Sequence, residues 1–330
     1  MIAPAAAREK PVRNAFDFLY KYGTLITVAV LIAAFGMLND SFMSASNVVN
    51  ILRSISIVTI IAVGLTVSLA VGGFDLSVGS TASLANALVI SLFVWHNVNI
   101  GVGILLTLAL CLGIGLVNAF LVIRFKIQDM LMTLATMFIF QGVAQTYTRG
   151  ATVSQNMIMP NGEYAEGKIP AAFEKIGQVP WIIVFMLLVV AAAHLFLTYT
   201  KHGRYMYMIG GNREAAELSG IAVSRYRLAA YLISALFAAI GGIILGARVM
   251  NAEVNAGGPY LMDAVAAAFI GYSVFGAGKP NALGTFVGAV LIGILQNGLI
   301  MLSVPYYAMD IVKGSVLALA LAVTYYKKKH

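Results

Sequence analysis

Charge is what this sequence has least of. Only 10% of its 330 residues are Asp, Glu, Lys or Arg, against about 25% in a soluble domain. With 60% of residues apolar, a water-soluble fold would have nothing to cover itself with, so the composition excludes a soluble globular protein. Cysteine is nearly absent. Cys111 stands alone inside an apolar run, which excludes an intrachain disulfide; it reads as a small packed hydrophobe. His96, His194, His202 and His330 are scattered with no HExxH or comparable spacing, so no metal site is expected. Nor is there a phosphate loop. Gly271, Gly276, Gly278 and Lys279 resemble one, but the next residue is Pro280, where a magnesium-binding hydroxyl is required. No serine motif or His-based dyad marks an intramembrane enzyme, and the chain is expected to catalyse nothing itself.

What the chain does have is long apolar runs. They fall at about 23–39, 55–72, 80–96, 99–123, 129–148, 181–200, 228–248, 260–275, 282–302 and 307–326. A spanning helix needs about 20 such residues. The expectation is therefore an all-α, polytopic membrane protein of about ten transmembrane helices, one domain over residues 1–330. The polar start, MIAPAAAREKPVRNAFDFLYKYG, lacks the early apolar core of a signal peptide.

The formal charge of +8 is explained by where the cations fall. Arg8, Lys10, Arg13 and Lys21 lie in the N-terminal tail; Arg124 and Lys126 follow the fourth run. Lys201, Arg204, Arg213, Arg225 and Arg227 follow the sixth, and Lys327, Lys328 and Lys329 end the chain. Ten spans from a cytoplasmic N-terminus put all four clusters inside. The tail 1–22 and the loop 201–227 are then cytoplasmic, and the nearly neutral loop 149–180 is periplasmic.

Two stretches interrupt the hydropathy: VGGFDLSVGS (71–80), with Asp75, and NAEVNAGGPYLMDAV (251–265), with Asp263. Broken or re-entrant backbone is tolerated at membrane depth only where protein or a cavity covers it, and transporters site binding or gating there. Asp75 also has the form of a cap for the helix that follows. GIGLVNAFLVIRFKI (113–127) and GAVLIGILQNGLIML (288–302) each carry an Asn late in a span, Asn118 and Asn297, as two halves of an internal repeat would. Gly242 with Gly246, and Gly284 with Gly288, are spaced for close helix packing within the subunit.

The loop HGRYMYMIGGNREAAELSGIAVSRYR (202–227) encodes a short capped helix. Gly210 and Gly211 read as a chain break. Asn212 is a good N-cap, and Glu214 suits the first turn. Ala215, Ala216 and Leu218 favour helix, and Gly220 suits the left-handed closing position. A helix of about two turns is marginal alone. It either lies on the membrane surface or plugs the groove of a soluble partner.

GFDLSVGS (73–80), GRYMYMIGGNREAAELSGI (203–221), DAVAAAFIGYSVFGAGKPNALGT (263–285) and QNGLIML (296–302) together resemble the permease family of ATP-binding cassette importers for ribose, xylose, arabinose, galactose and related sugars, most closely its ribose branch. The resemblance runs from about residue 40 to the C-terminus. It implies a type II importer-like fold, a second permease copy or paralogue, and a partner ATPase with two nucleotide-binding domains that binds the ATP and Mg. It also implies a periplasmic sugar-binding protein and a place in the bacterial inner membrane. Asn212, Arg213, Glu214, Ala215, Ala216, Glu217, Leu218, Ser219 and Gly220 match the family's ATPase-coupling segment. Phe74, Asp75, Ser77, Ser80, Asn118 and Asn297 are the candidate translocation-pathway residues. The sequence departs from the family at Asp129, at Gln141-Gly142 and in GYSVFGAGKPN (271–281), which bears on the sugar. A competing reading is an ion-coupled secondary transporter of a small polar solute. That would need acid or histidine relays within several spans, and the acids available are Asp75, Asp129, Asp263 and Asp310.

Overall fold

The structure is a computed structural model that describes residues 15–159, 162–274, 278–305, 307–315 and 318. In chain order the helices are α1 (Ala15–Leu38), α2 (Ala45–Ala70), α3 (Val78–Val94), α4 (Ile100–Phe125), α5 (Asp129–Tyr147), α6 (Ala171–Ile176), α7 (Trp181–Tyr199), α8 (Lys201–Gly211), α9 (Arg213–Leu218), α10 (Val223–Val249), α11 (Gly258–Ser273) and α12 (Ala282–Met301). Residues 307–315 are also helical. The rest of the last apolar run, the terminal lysines and the first part of the N-terminal tail lie outside the described residues.

Polar caps set several of these boundaries. The side chains of Ser44, Asn99, Thr200, Asn212 and Asn281 each accept an amide hydrogen bond from the first turn of the following helix, satisfying donors the helix itself leaves open. The only strands among the described residues are β1 (Val153–Ser154) and β2 (Asn251–Ala252). They pair antiparallel, with Val153 opposite Ala252.

Among the described residues, five helices, α2, α4, α7, α10 and α12, are long and apolar enough to cross a membrane. Helices α3 and α11 fall short because each begins only after a break. At 17 and 16 residues they span roughly 24–26 Å, less than the ~30 Å hydrocarbon core. Helix α5 has 19 residues but carries Asp129, Thr133, Thr136 and Gln141.

Helices α2 and α10 form the centre: α10 packs against α2, α3 and α4, while α2 packs against α10, α11 and α12. Exchanging α2, α3 and α4 for α10, α11 and α12 reproduces the pattern. In each half a long helix is followed by a break and then a short helix. Helices α4 and α12, which carry Asn118 and Asn297, occupy matching places. Small residues bring the helices together. A Cβ at Gly242 would collide with the Ala82 carbonyl, and one at Gly246 would press on Asn86 and Ile90, so this pair seats α3. Gly284 and Gly288 seat α11 against Gly271 and Ala267.

The two breaks lie at opposite ends of the bundle. The first, 71–77, lies against α8, with Gly72 packed on Gly210. The second, 250–257, contains β2, which pairs with the loop that precedes α7. Helix α7 separates that loop from α8. The α8/α9 end gathers Arg124, Lys126, Lys201, Arg204, Arg213, Arg225, Arg227 and Lys279. The other end mixes Glu163, Glu166, Glu174 and Glu253 with Arg149, Lys168, Lys175 and Arg248.

Candidate functional site

Asp75 lies between α2 and α3, fully buried. A carboxylate there needs donors, and it has three. Oδ1 accepts from the Ser77 amide at 3.0 Å and the Ser77 hydroxyl at 2.6 Å; Oδ2 accepts from the Ser234 hydroxyl of α10 at 2.7 Å. The chain of bonds continues: Asn118 Nδ2 donates to Ser77 Oγ at 2.7 Å, and Thr136 Oγ1 donates to Asn118 Oδ1 at 2.6 Å. Ser80 Oγ closes onto the Ser77 carbonyl at 2.9 Å. Thr133 Oγ1 donates to the Phe74 carbonyl at 2.9 Å and accepts from the Leu76 amide at 3.1 Å. Asp75 does not itself cap α3, as its sequence suggested: Ser77 is the N-cap, and Asp75 holds that residue, so that the network ties the start of α3 to α4, α5 and α10.

Of the six pathway candidates, the structure brings Asp75, Ser77, Ser80 and Asn118 into this one network, each at most 2% exposed. Their polar atoms are spent on hydrogen bonds inside the protein. Phe74 stands at the edge, its ring 5.8 Å from that of Phe269. Asn297 lies apart, accepting from Asn47 Nδ2 at 3.0 Å. Ser234, Thr133 and Thr136 escaped the sequence reading. Their signal is a hydroxyl inside an apolar run, and an acid between two spans calls for such donors.

Below the network, Asp129 takes an ion pair from Arg227 and a hydrogen bond from the Tyr231 hydroxyl. This joins the first turn of α5 to the second and third turns of α10. A Cβ on Gly73 would lie 2.9 Å from Asp129 Oδ2 and 3.2 Å from Tyr231 Oη, so the bare backbone of the break rests on the cluster. Gln141, the other departure in α5, donates from Nε2 to the Val254 carbonyl at 3.0 Å. Helix α5 thus touches both breaks.

Helix α9 is built as a separate piece. Asn212 Oδ1 accepts from the Ala215 amide at 2.9 Å. Gly220 takes φ +78° after the C-cap Ser219, and Arg213 pairs with Glu217 across one turn at 3.3 Å. Ala216 is buried with Val67, Val71, Met206 and Ile209, whereas Leu218 is 90% exposed. The glycine pair does not break the chain: α8 runs through Gly211, and the interruption falls at Asn212, whose φ of −155° and ψ of 105° are extended. Gly210 serves closeness instead. A Cβ there would meet the Ala70 carbonyl at 2.5 Å and the Gly72 amide at 3.1 Å. Tyr207 of α8 donates to the Pro280 carbonyl at 2.7 Å, and burial pushes its phenol up to about 12.

At the second break a cavity of about 850 Å³ is lined by Arg248, Glu253, Tyr260, Asp263, Gln296 and Lys313 among others. Lys313 Nζ lies 3.1 Å from both oxygens of Asp263.

The sequence profile of a family described as "Branched-chain amino acid transport system / permease component" matches residues 47–321. The chain is 36% identical over 309 residues to the ribose import permease protein of Escherichia coli strain K12, covering 93% of this chain and 94% of the relative. It is 33% identical over 307 residues to the ribose import permease protein of Bacillus subtilis strain 168, covering 92% of each. It is 31% identical over 365 residues to the xylose transport system permease protein of Haemophilus influenzae, covering 94% of this chain and 97% of that one. No solved structure matches. With a profile match across both breaks and the α8/α9 end, and whole-length likeness to these relatives, this multi-pass helical membrane protein belongs to the transport-system permease family.

Proposed function

We propose that the chain is the membrane-spanning permease subunit of an ATP-binding cassette importer that carries a monosaccharide, a pentose or hexose, across the bacterial inner membrane. The names of the relatives supply the solute class and the import setting. Ten spans place the basic α8/α9 end inside, following the positive-inside rule, with both termini cytoplasmic. A second permease copy or paralogue, a two-domain ATPase that binds ATP and Mg, and a periplasmic sugar-binding protein complete the machine.

One observation carries the coupling role: α9 is a capped helix with an exposed Leu218, connected through α8 to a glycine pressed on the first break. A docked ATPase that grips Asn212–Gly220 moves α8, and Gly210 passes the displacement to Ala70 and Gly72 without an intervening side chain. That displacement reaches the Asp129–Arg227–Tyr231 cluster and the Asp75 network, which set the relative positions of α3, α4, α5 and α10. Opening this end requires Phe74, Asp75, Ser77, Ser80 and Asn118 to give up their closed arrangement. The cavity beside Asp263, which mixes apolar walls with charged groups, receives solute at the opposite end.

The test is reconstitution with the cognate ATPase and binding protein. Deleting Glu214–Leu218 is expected to abolish co-purification of the ATPase and ATP-dependent uptake while the permease still inserts. Uphill accumulation by the purified chain alone would refute the reading and favour ion coupling.

A further inference from the structure

Three cations at the α8/α9 end have no role in the network above. Arg124 and Lys126 close α4, and Arg225 opens α10; all three line one groove of about 650 Å³. All are exposed. Among the described residues, the ion pairs involve none of them. The neighbouring acid, Asp129, is already taken by Arg227. The bland explanation, that they neutralise the α4 C-terminus, is too small. That end carries roughly half a negative charge, and the start of α10 beside it carries about half a positive one.

The groove itself is apolar and faces away from the bundle. Helices α4 and α10 touch at Gly115, where a Cβ would lie 2.8 Å from the Tyr231 carbonyl and 2.9 Å from Ala235 Cβ. Beyond that contact, Leu116, Phe120 and Leu228 form the walls, with Leu116 50% and Phe120 61% exposed. A basic rim above an apolar, outward-facing slot between two spanning helices matches one kind of molecule: an acyl chain in the slot and a phosphate-bearing headgroup at the rim.

We propose that the α4/α10 groove is a binding site for an anionic phospholipid, whose headgroup is held by Arg124, Lys126 and Arg225. The site is independent of which solute is carried. Each cation near an anionic surface is worth roughly fivefold in affinity, so the three together favour an anionic over a neutral lipid by about a hundredfold.

The experiment uses the full purified chain in detergent, titrated with phosphatidylglycerol or phosphatidylcholine and read by native mass spectrometry. Wild type is expected to retain phosphatidylglycerol preferentially. The variant Arg124→Gln/Lys126→Gln/Arg225→Gln is expected to lose that preference, and Lys201→Gln/Arg204→Gln, at the same end, to keep it. Leu116→Trp, which fills the slot and leaves the charge, is expected to weaken retention of either lipid. Equal retention by wild type and the triple variant would overturn the proposal. So would displacement by glycerol phosphate at the concentration that displaces the lipid, which makes the site a plain anion site. Loss of ATPase co-purification in the triple variant with lipid retention unchanged would reassign the cations to the protein partner.

Discussion

Replacing Asp129 tests whether the departures in α5 are structural. Arg227 is 7% and Asp129 16% exposed at the side chain, so removing the carboxylate strands a guanidinium with little access to water. Breaking a buried pair from one side costs about 3–5 kcal/mol, and Asp129→Ala also takes the acceptor of the Tyr231 hydroxyl. Asp129→Asn keeps one acceptor oxygen but loses the charge and the second acceptor, since its NH2 donates, so it is expected to cost less than Asp129→Ala while still breaking the ion pair. Tyr231→Phe removes one hydrogen bond to a charged group, worth about 1.5–3 kcal/mol. The informative variant is Asp129→Ala/Arg227→Met. Replacing both members by apolar groups is often neutral, so the double variant is expected to be more stable than Asp129→Ala. The coupling should reach the upper end of the range of about 0.5–3 kcal/mol. Unfolding by sodium dodecyl sulfate in mixed micelles, followed by circular dichroism, measures all four corners of the cycle. Additivity within about 0.5 kcal/mol would refute the claim that the two side chains depend on each other.

Two further outcomes follow from local geometry. Asn212→Ala removes the N-cap of α9 and is expected to cost that helix about 1 kcal/mol, weakening ATPase co-purification several-fold while global unfolding is unchanged; unaltered co-purification would count against the cap. Glycines at the two ends should respond with opposite sign. Gly257→Ala places a Cβ 2.7 Å from the Ser83 amide and 2.9 Å from Ala82 Cβ, an overpacking cost of about 1–3 kcal/mol. Gly211→Ala meets nothing within 4 Å and gains up to ~1 kcal/mol of helix propensity; equal melting temperatures for the two variants would contradict the packing.

How much of this was legible depended on whether the physics was local. The α9 cap spans four residues, Asn212 to Ala215, and the sequence alone specifies it. Asp75 was half legible: its bond to the Ser77 amide is a local turn, but Ser234 lies 159 residues away and only the fold brings it near. Asp129 and Gln141 stood out as departures without a visible purpose, because Arg227 and the Val254 carbonyl belong to segments that meet α5 only in three dimensions. Asn118 and Asn297 looked alike and sit on matching helices, yet one joins the buried network and the other bonds Asn47. The glycine pair misled for a clear reason. Glycine lowers helix propensity by about 1 kcal/mol, but Gly210 is repaid by the closeness it permits to Ala70 and Gly72, and tertiary packing kept the helix going.

Under the proposed coupling, the asymmetry between the two breaks bears on how a push on α8 would become an opening. Both have the same design, a long helix, an interruption and a short helix, yet they are finished differently. The break beside α8 is sealed. Every oxygen of the Asp75 carboxylate is engaged, and the backbone of Gly73 is pressed against Asp129 and Tyr231. The break beside β2 borders a cavity with an ion pair, Asp263–Lys313, on its wall. In the proposed cycle the closed end has to open on command, which needs bonds strong enough to hold and a handle to break them together. The handle is at hand, because Gly210 meets the first break backbone to backbone, beside the packed side chains of Val71, Met206 and Ile209. A bulky residue at 210 would lengthen that path as well as clash, so the same contact that required a glycine in the fold also makes the movement of α8 and of the break one movement.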